Sequence, residues 1–412
     1  MRSLAAAFAV LALVAGCAKQ DQRPAPGSFG DDVEFLQPRG GALVLSDATG
    51  MAQVAVSPLL QGRVMTSTSD GPAGISYGWI NRDLIAAGVK RAHFNPYGGE
   101  DRFWMGPEGG QFSIFFAKDQ PFDLDHWYTP AALDIRPFNL VSKSRGEAQF
   151  RSEFQLRNYS GTKFDVTVDR TVRLLEPAEV WKHLNVAPAT PAVRMVAFES
   201  VNRITNAGKA PWAKDSGLLS IWILGMFKPS PTTTVVVPLK AGPDSQLGPP
   251  VNADYFGRVP PERLVVRDSV AFFSGDGKFR SKIGVSPKRA RPVLGSYDAT
   301  NGVLTIVQFT LGPAPADYVN SMWEIQKNPY AGDTANSYND GPPKEGVKPM
   351  GPFYELESSS PAAALAPGES LEHIHRTIHL KGAEKDLDAV ARKVLGVGLK
   401  DITNALPKES AK

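Results

Sequence analysis

Short runs of alternating apolar and polar residues, separated by turn dipeptides, occupy most of the chain from about residue 30 to 381. Phe112, Ile114 and Phe116 alternate within Gln111–Ala117, as do Phe164, Val166 and Val168 within Phe164–Val172. A period of two places such residues on one face of a strand. Gln53–Val56, Thr232–Val237, Arg263–Phe273 and Val303–Phe309 also read as strands. Asp70-Gly71, Asp276-Gly277, Asn301-Gly302 and Asp340-Gly341 supply turns, because these pairs accept the positive φ that tight hairpins require. Asn301-Gly302, set between Val293–Asp298 and Val303–Phe309, predicts a hairpin. The chain carries 38 glycines and 34 prolines in 412 residues, which favours turns over long helices. The expected class is therefore all-β, a sandwich or barrel. Helices are expected at about Ile80–Ala87 and near the C-terminus. There Leu387, Val390, Ala391, Val394 and Leu395 share one helical face and Gly396 ends the run, with Leu399, Ile402 and Leu406 continuing in a shorter helix.

The N-terminus reads differently. Arg2 precedes an apolar run, Leu4–Ala15, that is too short to span a bilayer and fits a signal peptide. Val14-Ala15-Gly16-Cys17 resembles the lipobox of bacterial lipoproteins, with Cys17 as the acylated residue. The expected organisation is a signal peptide over 1–16, a lipidated Cys17 and flexible tether over 17–30, a β-domain over 31–381, and C-terminal helices and tail over 382–412. A membrane partner through Cys17 and a cell-envelope, periplasm-facing location follow, with the outer membrane favoured.

Cys17 is the only cysteine, so an intramolecular disulfide and a Cys-based zinc site are excluded. Lys and Arg number 45 against 42 Asp and Glu, a net charge of +3, which gives no electrostatic footprint for nucleic acid.

Polar and aromatic residues concentrate in a few stretches. His93–Gly110 and Phe122–Tyr128 contain paired glycines, which let a ligand approach the backbone. They also hold Tyr97, Trp104 and Trp127 as flat apolar faces and Arg102, Glu108, Asp125 and His126 as polar heads. Sugars offer the complement: apolar C–H faces ringed by hydroxyls. A second stretch contains Trp323, Glu324, Tyr338 and Asn339 in a long irregular segment, a common setting for function. On a strand, Glu355 and Glu357 face one way, about 7 Å apart, as a base and its partner or as acceptors for hydroxyls. His373, His375 and His379 share strand parity, so a metal pair at His373 and His375 is geometrically allowed. No cofactor is otherwise expected. Lys278, Arg280, Lys282, Lys288, Arg289 and Arg291 form a basic run, read first as a solvated strand face and otherwise as a site for an acidic sugar or anionic headgroup.

In order along the chain, four segments resemble the galactose-mutarotase-like superfamily, which includes aldose 1-epimerases. They are Gln53–Met65; Gly98-Gly99 through Trp104 and Gly106-Pro107-Glu108; Ile204-Thr205-Asn206 with Trp212 and Gly217–Trp222; and Leu356-Glu357 through Leu365–Glu369 and Arg376-Thr377. The resemblance implies a large antiparallel β-supersandwich with a sugar-shaped concave face. It puts the family's glutamate base on Glu357, with Glu355 as the rival. The family's histidine acid has no counterpart: Leu218–Trp222 contains no histidine, and Tyr97 stands before Gly-Gly. His126, beside Asp125, is the substitute the sequence offers.

Three functional readings follow. The first is a lipoprotein that binds a carbohydrate and acts on it as an epimerase, isomerase or lyase. It uses Glu357 or Glu355 as base and His126 as acid, Arg102 as clamp, and Trp104, Trp222 and Trp323 against the ligand. The second is a non-catalytic glycan-binding or scaffold lipoprotein. The third is a metal-assisted hydrolase or lyase using His373 and His375.

Overall fold

The computed structural model describes residues 24–188, 190 and 192–407. The signal peptide and Cys17 lie outside these residues. Two antiparallel sheets face each other. The smaller has five strands in the spatial order Ser281–Val285, Ala335–Asn339, Tyr354–Ser359, Ser220–Phe227 and Arg102–Gly106. The larger has ten. Leu264–Arg267, Val270–Ser274, Thr233–Pro238, Val293–Asp298 and Val303–Phe309 form one half; Ser370–Lys381, Arg194–Asn206, Lys163–Leu174, Glu147–Arg157 and Asn139–Lys143 form the other. A three-stranded sheet, Leu43–Ser46, Gln53–Ser57 and Arg63–Thr68, completes the β-structure. This is the expected antiparallel β-supersandwich.

Alternation along each strand decides what lies between the sheets. Ile283, Leu356 and Phe227 of the small sheet pack on Val235, Phe273, Leu294 and Val307 of the large one. Phe272, one residue from Phe273, points to the opposite face with Val236, Leu304, Ile306, Ile378 and Leu380. That outer face is covered by helices Pro177–Leu184, Glu384–Leu395 and Leu399–Thr403, whose Val180, Leu387, Val390, Ala391, Leu395 and Ile402 are buried there. Gly396, at φ 79°, caps the longer C-terminal helix as its sequence predicts. The expected hairpin pairs Asp298 with Val303 and Val293 with Gln308, and Gly302 takes φ 61° in its turn. Arg82–Ala87 is the minor helix.

Four expectations are corrected. Arg263–Phe273 is not one strand: Asp268 and Ser269 take positive φ and turn the chain between Leu264–Arg267 and Val270–Ser274, which pair antiparallel. The stretch expected to be irregular through Asn339 ends in the strand Ala335–Asn339, whose backbone pairs with a strand on each side. Gln111–Ala117 is not a strand. Ser113 and Ile114 donate their backbone N–H groups to Gly110 and Pro107 within the loop, and Ile114, Phe115 and Phe116 are buried consecutively rather than alternately. The tether does not extend to residue 30. A helix begins at Phe29 and runs to Gly40, capped by Ser28, whose hydroxyl accepts from the Asp31 N–H. No described helix is long and apolar enough to cross a membrane.

Candidate functional site

The outer face of the five-stranded sheet carries the site. Strand register sets its floor: Glu357 pairs with Leu224 and Asn336, Glu355 with Met226 and Tyr338, and Lys282 with Tyr338. Opposed residues share a face, so Trp222, Leu224, Glu355, Glu357, Lys282, Asn336 and Tyr338 project together, away from the interior. Arg102 and Trp104, opposite Leu224 and Trp222 on the edge strand, extend the same surface. Loops 108–125, 252–256 and 319–324 rise around it and enclose a cavity of about 680 Å³, floored by Trp222 and Lys282. A smaller compartment of about 160 Å³, lined by Arg102, Trp104, Trp127, Leu224 and Glu355, adjoins it and shares Glu108, Trp222, Lys282 and Trp323.

Glu357 is fully buried. Its Oε2 accepts from Trp222 Nε1 at 2.9 Å and from Lys282 Nζ at 3.0 Å, while Oε1 has no partner. Burial disfavours the charge on Lys282, but the carboxylates of Glu357, Glu108 and Glu355 outweigh it and raise the ammonium above its ordinary value. Burial and then the charge of Glu357 push the Glu355 carboxyl well above its ordinary range. Burial likewise pushes Glu108 up to about 7, opposed by the charge of Lys282 and by a contact with the Trp323 indole.

The aromatic walls hold one another in place. Trp323 stacks on Trp127 at 5.9 Å between centroids and meets Phe116 edge-on. Lys282 Nζ lies 4.6 Å from the Trp222 ring centroid, and the Arg280 guanidinium lies 3.9 Å from that of Phe256. Tyr255 donates to Asp333 Oδ2 at 2.5 Å, fixing the 252–256 loop beside the cavity.

Most residues singled out in the sequence converge here: Glu355, Arg102, Trp104, Glu108, Asp125, Trp127, Trp222, Trp323, Glu324 and Tyr338 line one compartment or the other, and Glu357 lies buried directly beneath Trp222 and Lys282, which cover it. Others do not. His126 lines neither and pairs through Nδ1 with Asp123 Oδ1 at 2.6 Å on the surface. Asn339 has the opposite parity to Tyr338; its side chain bonds Gly277, Asp276 and Phe279 and holds a turn. Arg102 is buried over the Trp104 ring, 3.7 Å from its centroid, with Asp134 Oδ1 at 3.3 Å. Burial lowers it to about 10 while Asp134 opposes that shift, so its charge is already partnered. The paired glycines serve the chain's own packing. A Cβ on Gly98 would strike the Trp79 carbonyl, and one on Gly110 would lie 2.6 Å from the Gln326 side chain.

His373 and His375 occupy the space between the sheets, each 2.8 Å from Ser358 Oγ. His379 lies there too, bonded to Glu100 at 2.8 Å and Thr305 at 2.9 Å. Among the described residues, no group of three or more His, Cys, Asp or Glu side chains is arranged to hold a metal ion. Sequence reasoning left Lys282 on a solvated face, placed Asn336 only within the second polar stretch, and passed over Tyr255, Phe256 and Asp333 as cavity residues. Of these, only Lys282 and Asn336 carried a signal, as in-parity neighbours on strands next to Glu357.

The fold and cavity define an antiparallel supersandwich with an enclosed polar–aromatic site on its smaller sheet. The chain belongs to a family of unknown function (DUF6786), whose model matches residues 27–406. No curated protein matches it. Among solved structures it is similar to a candidate aldose 1-epimerase from Escherichia coli K12, at 13% identity over 83% of this chain and 99% of that one, TM-score 0.48. It is also similar to a galactose mutarotase-like protein from Lactobacillus casei, at 10% identity over 82% and 100%, TM-score 0.44. A galactose mutarotase-related enzyme from Lactobacillus acidophilus matches at 8% identity over 82% and 97%, TM-score 0.45. These likenesses concern the fold, as the sequence motifs implied, and carry no information on chemistry.

Proposed function

We propose that this protein binds a carbohydrate in the cavity above the five-stranded sheet and acts on it by acid–base chemistry, as an epimerase, isomerase or lyase. One observation carries the reading: an enclosed space walled by Trp222 and Trp323 and bordered by Lys282 and Asn336 lies over the buried Glu357 carboxyl, whose Oε2 is held by Trp222 and Lys282 and whose Oε1 has no partner. Indole faces suit the apolar side of a pyranose, and the free Oε1 suits a hydroxyl proton. A buried carboxylate oxygen without a partner is costly unless a ligand supplies one. A non-catalytic glycan-binding protein is the second reading, favoured by the absence of a histidine from the lining residues. The lipid anchor on Cys17 and the envelope location belong to the proposal as well. They rest on the lipobox-like segment and predict that Cys17→Ser moves the protein from the membrane to the soluble fraction.

Titration calorimetry against a panel of mono- and oligosaccharides tests the binding. At least one sugar should bind wild type, with Trp323→Ala weakening it about tenfold, in line with the loss of a stacking face. A panel that binds nothing, or binds Trp323→Ala equally well, removes the proposal.

A further inference from the structure

Glu357 lies beneath the cavity floor, held by Trp222 and Lys282, and neither compartment has a histidine in its lining, so the group that returns a proton to a ligand must be another. Asp123, Asp125 and Glu324 are exposed at the mouth. Asp333 accepts from Tyr255 at 2.5 Å and from Asn252 at 3.3 Å. Glu355 sits beside Glu357 on the same strand, and Lys282 is paired to Glu357. Glu108 differs from all of these. It enters from the loop after the edge strand, borders both compartments, and has no ion-pair partner among the described residues.

Its position is held by a dedicated set of contacts. The Glu108 backbone N–H donates to Ser321 Oγ at 3.1 Å, and its carbonyl accepts from the Ser113 hydroxyl. Gln111 Nε2 donates to the Gln326 carbonyl and the Gln326 N–H donates to Gln111 Oε1, each at 2.9 Å. Gly109 allows the loops to touch, since a Cβ there would collide with the Met322 carbonyl. The loop carrying Glu108 and the loop carrying Trp323 are therefore clasped as one unit over the sheet.

We propose that Glu108 is the proton donor of this cavity, working across the ligand from Glu357; the assignment rests on the acid–base reading above. For a cyclic reducing sugar, Glu357 takes the proton of the anomeric hydroxyl. The O–H electron pair becomes the C1=O bond as the bond from C1 to the ring oxygen breaks, and the ring oxygen takes the Glu108 proton. Reclosure on the other face of C1 reverses each transfer, so both carboxyls return to their starting states. The burial that holds Glu108 near 7 keeps it protonated in a useful fraction at neutrality.

The test follows interconversion of freshly dissolved α-anomers of glucose, galactose and mannose by NMR, with wild type, Glu108→Gln, Glu108→Asp and Glu357→Gln. Glu108→Gln is expected to lose about 100-fold or more in kcat, with KM changed only a few-fold. The wild-type rate should fall above neutral pH, Glu108→Asp should keep that limb at reduced rate, and Glu108→Gln should lack it. If Glu108→Gln keeps the wild-type rate while Glu357→Gln is inactive, the donor assignment is wrong and the acid–base reading stands. If wild type binds these sugars without interconverting them, the donor assignment falls and only binding remains. If it binds none of them and none of the wider panel, the functional reading itself fails.

Discussion

The indole Nε1 of Trp222 donates to Oε2 of Glu357 at 2.9 Å from the adjacent strand, so one tryptophan both walls the cavity and orients its carboxylate. Trp222→Phe separates the two roles. The aromatic face remains, while a hydrogen bond to a charged group is lost. A loss of about 1.5–3 kcal/mol in unfolding free energy is expected by urea titration, with a weaker effect on stacking than Trp222→Ala. An unchanged stability would show that the 2.9 Å contact contributes nothing net.

Lys282 and Glu357 form a buried ion pair at 3.0 Å. Removing one partner leaves an uncompensated charge in the interior, so Lys282→Met should destabilise by about 3–5 kcal/mol. The double variant Lys282→Met/Glu357→Gln should recover much of that loss, because both charges are gone. A double-mutant cycle in denaturant measures it, and additive single effects would contradict the coupling.

Interior histidines give the fold a pH signature. Burial lowers His373 to about 3, helped by the charge of His375, and burial lowers His375 to about 4. Unfolded, each titrates near 6.5. The unfolded chain therefore binds more protons between about pH 6.5 and 4, and the stability these groups contribute is present above 6.5 and lost as pH falls. Glu108 and Glu355, held above their ordinary values, act oppositely in part of that range. The signal is thus a difference: relative to His373→Gln/His375→Gln, wild type should lose up to about 1.4 kcal/mol per histidine per pH unit below 6.5. Parallel stability curves for the two proteins would refute this.

Gly109 offers a steric check on the clasped loops. Gly109→Ala places a methyl against the Met322 carbonyl, and should cost about 1–3 kcal/mol while weakening sugar binding through displacement of Trp323. Wild-type binding and stability in this variant would mean that the loops tolerate separation.

Where a structural choice was local, the sequence revealed it. Asn301-Gly302 carries its turn geometry in two residues, and Gly396 marks a helix end whose apolar spacing is visible over a dozen positions. Glu355 and Glu357 likewise declare a shared face. What escaped depended on distant chain. Asn336 and Asn339 look equivalent in sequence, and only the pairing of Asn336 with Glu357 sends one into the cavity and the other into a turn. Lys282 reads as surface until Glu357 and the loop bearing Tyr255 close over it. Gln111–Ala117 alternates like a strand, but its backbone bonds are satisfied inside the loop and against Tyr159.

A crystal structure of the protein soaked with the tightest-binding sugar of the panel addresses the central assignment directly. The sugar should lie over Trp222 and against Trp323, with a hydroxyl within hydrogen-bond distance of the free Oε1 of Glu357 and its ring oxygen toward Glu108. A sugar bound at another surface, with the cavity above the five-stranded sheet holding only water, would contradict it.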